Sequence, residues 1–307
     1  MSGWQVELSE ILHRSGNDFG ITSIHHPELL AEARQTGFVW TRRDGVVCQA
    51  ANHQYFTRAC DNDKVRVIIA PPHAARGAVP EGKALIVCQR AEELYLHLHT
   101  LQRTESTAGA PDIDATAHVD PSAVLRGDVD IGPGVHIGPH VTVCGPARIA
   151  RDTRIEAGVV IGCEGLYAKE IFGRRQHIPH FGGVDIGPRV YIHANAVIVR
   201  SAILGEATRI DADAHIGVAA NIGHGAVIGE AAVLSSHCVI AGRARIGAHA
   251  WIGASATISN AISVGAGARV RLGAVVVRDV PAGADVSGNF AEDHARNMRR
   301  FLKGAPS

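Results

Sequence analysis

The chain has 307 residues, with 30 basic and 30 acidic side chains and so no formal net charge. A balanced charge gives no global attraction to nucleic acid or to an anionic membrane, so any phosphate binding must be built locally. Six cysteines, Cys48, Cys60, Cys88, Cys144, Cys163 and Cys238, include no C-x-x-C pair, which speaks against a structural zinc site or a disulfide framework and for reduced thiols.

The opening MSGWQVELSEILHRSGNDFG has no apolar signal core, and no run of about 18 apolar residues occurs, so a cytoplasmic protein without a membrane span is expected. Residues 1–104 mix short patterns. Val6, Leu8, Ile11 and Leu12 suggest a helix, VRVIIA (65–70) and ALIVC (84–88) read as buried strands, and AEELYLHLHTL (91–101) reads as a helix. Pro71-Pro72 and Pro80 punctuate the loops between them. This region, residues 1–104, is predicted to be a small α/β domain, followed by a polar linker at 105–112.

From Ile113 an aliphatic residue returns every sixth position as far as Ile161, and again from Ile186 to Val276 without a slip, Leu204 included. Four residues after each comes a small or slim apolar side chain nearly every time, as at Ala117, Ala196, Ala214, Ala226, Cys238 and Ala256. Gly often follows the aliphatic residue directly, as at Gly205, Gly217, Gly223 and Gly247, where a tight corner would use positive φ. No helix or ordinary strand has that period. One large and one small inward position per hexapeptide fit a triangular prism, the left-handed parallel β-helix, predicted here over 105–290. Three hexads close a coil, so residues about 18 apart stack at roughly the inter-strand spacing of 4.8 Å. Two interruptions stand out. Residues 163–183 break the period, which predicts a loop extruded from the prism, either functional or covering a neighbouring subunit. After Val276 the pattern stops, and residues 291–307 are predicted to carry a short basic helix.

Three stretches, 222–229 (IGHGAVIG), 161–165 (IGCEG) and 178–182 (IPHFG), resemble motifs of the UDP-3-O-acylglucosamine N-acyltransferase family of hexapeptide-repeat acyltransferases. Ile222-Gly223-His224-Gly225-Ala226-Val227-Ile228-Gly229 stands where that family has its base motif. Ile161-Gly162-Cys163-Glu164-Gly165 and Ile178-Pro179-His180-Phe181-Gly182 stand where it has its loop motifs. The resemblance implies a general base at His224 and an oxyanion donor at the Gly242 N–H, one coil further on. The residue types suit those roles, because imidazole accepts protons near neutral pH and a backbone N–H can hold a developing oxyanion. Spacing alone does not single out His224 among 18 histidines, since coil corners tolerate most polar residues; His193, His215, His237 and His249 read as ordinary corner residues. His177 and His180 on the loop are candidate substrate contacts.

The resemblance also implies a uracil site at Asn52 and Tyr55, although Gln49 stands where the family has Phe, a loss worth on the order of 1 kcal/mol of ring stacking. Ser259-Asn260-Ala261 stands where the family often has a second His, and Phe290 replaces a Pro in its exit motif. Arg296, Arg299, Arg300 and Lys303 offer a basic face to an acidic acyl carrier protein. The expected activity is therefore N-acyl transfer to the amine of a nucleotide-linked amino sugar, as in lipid A assembly. The donor is a thioester on the 4'-phosphopantetheine of a carrier protein or on CoA, with no bound cofactor, no metal ligand set, and a homotrimer as the family's assembly. The departures leave open a paralogue that uses acyl-CoA and a different nucleotide sugar, for surface polysaccharide or secondary metabolism. Two other classes carry signatures of their own. A γ-carbonic-anhydrase-like metal enzyme would carry a His pair five apart in the coils, which is absent. A non-catalytic scaffold would leave His224 inert.

Overall fold

The structure, a computed structural model, describes residue 4 and residues 7–102 and 109–288. The predicted C-terminal helix and its Arg296, Arg299, Arg300 and Lys303 lie outside the described residues.

The N-terminal domain holds α1 (Leu8–Ser15), α2 (His53–Asp61) and α3 (Ala91–Thr100) with the strands β1 (Ile21–His25), β2 (Gln35–Gly37), β3 (Val46–Gln49), β4 (Val65–Ala70) and β5 (Ala84–Cys88). The strands run in the order β1-β5-β4-β3-β2, parallel except for β1 against β5. Alternation along each strand sends successive side chains to opposite faces. Val47, Val67, Ile69 and Ile86 therefore pack with Leu94 and Leu98 of α3, while Val46, Cys48, Ile68 and Leu85 pack with Phe56 and Ala59 of α2. Burial on both faces explains why these strands read as unbroken apolar runs.

Beyond the linker the chain winds into a left-handed parallel β-helix whose three faces are parallel sheets of nine, eight and eight strands. We call these the A face (Val119, Ile137, Ile155, Ile192, Ile216), the B face (Val143, Ile161, Ile198, Ile222, Ile240) and the C face (Ile149, Ile186, Ile210, Ile228, Ile246), by their inward residues. Nearly every inward aliphatic residue is fully buried, each burial being worth about 1.5–3 kcal/mol, and the small partners Ala196, Ala214, Ala226 and Cys238 fill the space between. Two polar residues stand in small-partner positions, Thr153 and Thr208; the Thr153 hydroxyl donates to the Gly187 carbonyl at 2.9 Å and that of Thr208 to the Val199 carbonyl, which removes the cost of burying them.

The structure corrects the sequence reading at three places. Leu204 is not a rung. Ile192 pairs with Ile216 and Ile198 with Ile222, 24 residues on and not 18, so residues 200–206 are a second excursion whose six extra residues leave the period in phase. Gly205 at the second excursion does take positive φ (75°), but within the regular coils the corner glycines Gly217, Gly223 and Gly247 do not. That conformation falls two residues later, at Arg243 (φ 60°) and His249 (φ 57°), for example. Glycine is needed for closeness instead: a Cβ on Gly223 would lie 2.6 Å from the Gly242 nitrogen of the next coil. Finally, the winding does not stop at Val276, since Val280 bridges Val264 and Asp285–Val286 pairs with Arg269–Val270.

The 163–183 loop is extruded as predicted, but it is docked. Its hairpin, Ala168–Ile171 with Arg174–His177, buries Ile171 and Ile178 in the α3 side of the N-terminal core. Lys169 pairs with Glu92 at 2.7 Å, the Phe172 N–H donates to Glu93, and the His99 ring meets the Pro179 carbonyl at 2.9 Å.

Candidate functional site

Both excursions leave the prism at one edge, the corner between the B and C faces. Residues 163–183 depart after Val160–Cys163, residues 200–206 after Val197–Val199 one coil on, His224 follows Asn221–Ile222 in the next coil, and Gly242 follows Val239–Ile240 in the coil after that. The parallel register therefore stacks His224 directly on Gly242, with the Arg243 N–H donating to the His224 carbonyl at 2.8 Å. The imidazole folds over the glycine so closely that a Cβ there would lie 2.4 Å from His224 Nε2. Among the described residues the Gly242 N–H donates to no protein acceptor and the His224 ring makes no hydrogen bond.

His224 does not stand on an open corner. Tyr167 of the loop lies nearly parallel to it, with ring centroids 6.4 Å apart, and His180 meets it edge-on at 5.7 Å. Burial, followed by the neighbouring His180 and Arg243, pushes the His224 pKa down to about 4, so the ring is neutral at physiological pH with its lone pair available. Thr208, fully buried, braces the corner: its hydroxyl donates to the Val199 carbonyl at 2.6 Å and accepts from the Gly225 N–H at 2.8 Å.

The next side chain along the edge reaches the N-terminal domain. The Arg243 guanidinium lies 4.7 Å from the Phe38 ring centre and 5.8 Å from that of Trp40. Trp40 stacks on Phe38 at 4.9 Å, is 47% exposed, and stands 6.2 Å from Tyr55. An aromatic shelf thus faces the same edge as His224. Tyr55, one of the two residues named for a uracil site, borders this shelf, and the other, Asn52, caps α2, its side-chain oxygen accepting from the Tyr55 N–H at 2.9 Å. Gln49 ends β3, and Phe38 and Trp40 were missed because they sit outside the motif and reach it only through the fold.

Two further residues at this edge escaped the sequence reading. Arg200, 9% exposed, donates to the carbonyls of Gly162, Cys144 and Gly145 at 2.6, 3.0 and 2.5 Å, tying three coils together beneath the loop. Glu164 contacts His177 at 2.5 Å and accepts from the His180 N–H at 3.3 Å. His177 is exposed and His180 is only 2% exposed, so the two loop histidines are not equivalent as substrate contacts. A separate cavity of about 600 Å³, lined by Arg43, Asp128, Arg148, Phe181, Asp185 and Glu206, opens beside the edge and includes neither His224 nor Gly242.

No family model matches the chain. Over 208 residues, 54% of this chain and 58% of the relative, it is 31% identical to the UDP-3-O-acylglucosamine N-acyltransferase of Leptothrix cholodnii. The enzyme of the same name from Bordetella pertussis is 26% identical over 202 residues, 52% of this chain and 56% of the relative. Over about half of its length the chain is thus similar to hexapeptide-repeat acyltransferases. It is also 34% identical over 110 residues, 33% of its own length and 55% of the relative, to the carnitine operon protein CaiE of Escherichia coli K12. It spans a little over half the length of these curated relatives. Among solved structures, LpxA from Acinetobacter baumannii matches 63% of this chain and 78% of its own, with 26% identity and a TM-score of 0.42.

Proposed function

We propose that the protein transfers an acyl group from a thioester to the amine of a nucleotide-linked amino sugar, with UDP-3-O-acylglucosamine as the first candidate acceptor. The observation that carries this reading is the stack of a neutral, unbonded imidazole on a glycine whose N–H is free, at one edge of the prism. The amine nitrogen attacks the thioester carbonyl, and His224 Nε2 takes the proton that nitrogen sheds. The Gly242 N–H holds the oxyanion. Collapse completes the C–N bond, breaks the C–S bond, and returns the proton from His224 to the leaving thiolate. Trp40 and Tyr55 offer stacking surface for the base of the nucleotide, and Arg243 offers positive charge to its diphosphate.

The donor is a carrier-protein or CoA thioester. The Gln49 and Ser259-Asn260-Ala261 departures favour, as the second reading, a paralogue acting on another nucleotide amino sugar with acyl-CoA. We also propose a homotrimer, supported by apolar Val239 and Val275, 39% and 60% exposed on the B face beside the His224 edge. The test is incubation with UDP-3-O-acylglucosamine and a 3-hydroxyacyl carrier protein, followed by mass spectrometry, with His224→Ala in parallel. Product from the wild type alone supports the reading. No product discards that acceptor and turns the assay to other UDP- and dTDP-amino sugars with both donors.

A further inference from the structure

We propose that Glu164, His177 and His180 form a binding site for a zinc-like divalent ion, mounted on the extruded loop above His224. Their donor atoms already lie within 4.8 Å of one another. Two imidazoles and one carboxylate are a donor set that zinc accepts readily, and three protein ligands leave a fourth position for water or a substrate oxygen.

Proximity alone would not carry the inference; His180 does. It is 2% exposed, yet neither Nδ1 nor Nε2 has a hydrogen-bond partner, and among the described residues these are the buried side-chain nitrogen and oxygen atoms left in that state. A buried polar atom without a partner costs about 1–3 kcal/mol, and a fold that keeps one calls for an explanation such as a bound ion. Packing fixes the ring between Tyr167, His224 and His177. His177 and Glu164 are exposed and free to adjust. Ligands about 2.1 Å from a common tetrahedral ion stand about 3.4 Å apart, so closing the set needs a movement of about 1 Å by these two side chains. Their present contact, Glu164 with His177 at 2.5 Å, already holds two of the donors together. The nearby cation, Arg200, has its Nε and Nη2 donors committed to three backbone carbonyls. The five coil histidines considered in the sequence have no part in this site.

The test uses tag-free full-length protein stripped with a chelator and titrated with Zn²⁺ and with Co²⁺, read by elemental analysis after dialysis and by the visible bands of four-coordinate cobalt. One equivalent should bind. His177→Ala and Glu164→Gln, both at exposed positions, should each weaken binding at least about 10-fold, and His180→Ala should abolish it. His118→Ala/His136→Ala, which removes a stacked imidazole pair (4.9 Å) on the A face, should bind as wild type does. Absence of stoichiometric binding, binding undiminished in His177→Ala and Glu164→Gln, or loss in the A-face variant would overturn the site. None of these readouts requires acyl transfer, so the outcome stands apart from the proposed activity.

Discussion

Gly242→Ala tests the proposed stack of His224 on Gly242 most directly. The added methyl would lie 2.4 Å from His224 Nε2 and 2.8 Å from both Cδ2 and Cε1, against an ordinary contact of 3.4–4 Å. The ring must therefore retreat by about 1 Å, and a misplacement of that size can cost about 100-fold in rate. Tyr167 and His180 limit where it can go. We expect kcat for N-acylation to fall about 100-fold while KM for the nucleotide sugar stays within about 2-fold, because Trp40 and Tyr55 are untouched. Turnover would be followed by mass spectrometry under saturating thioester, with thermal melting as the control for folding. A Gly242→Ala protein that melts like the wild type and retains more than roughly a third of its turnover would refute the argument that His224 works from this position.

Four further outcomes follow from the same geometry. Because His224 is held down to about 4, mainly by burial, its imidazole should stay neutral from pH 7 to about 5 and protonate only below that, as followed by NMR of the ring in wild type against His224→Ala; a midpoint near 6.5 would contradict it. Trp40→Ala should raise KM for the nucleotide sugar by about 2- to 10-fold with kcat unchanged, as measured by steady-state kinetics. Arg200→Ala leaves three carbonyls short of a donor and should lower stability by about 3 kcal/mol in urea melts. His99 is almost wholly buried and its pKa is pushed down to about 4, mainly by that burial. Between pH 4 and 6.5 the unfolded chain binds more protons than the folded one. Stability is then complete above about 6.5 and drops by up to about 3 kcal/mol as pH falls toward 4, and His99→Gln should show a shallower loss in the same urea melts.

The prism was legible because its period is unlike any other, and each inward isoleucine reports its own place. The same regularity concealed the second excursion: six extra residues around Leu204 leave every later isoleucine in phase, and only strand pairing exposes them. His224 and Gly242 could be paired through the coil length. Phe38, Trp40 and Arg243 could not, because they meet across domains and no local pattern encodes that distance. Glu164 was visible only as one letter of a motif, since its meaning depends on a hairpin bringing His177 and His180 back to it.

The B–C edge has a consequence for how such a protein can change. Each coil is fastened to its neighbours by its own rungs, so a segment spliced in at this corner disturbs no pairing elsewhere. Closing a longer loop adds only about 0.6 kcal/mol per doubling of its length. The edge is a margin on which new text can be written while the printed lines stay where they are. Exchanging 163–183 or 201–206 for segments of other lengths, with Arg200 and its carbonyl contacts kept, should therefore alter the surface at this edge while the column beneath keeps its stability. The content of the loops and the stability of the scaffold are then separately selectable.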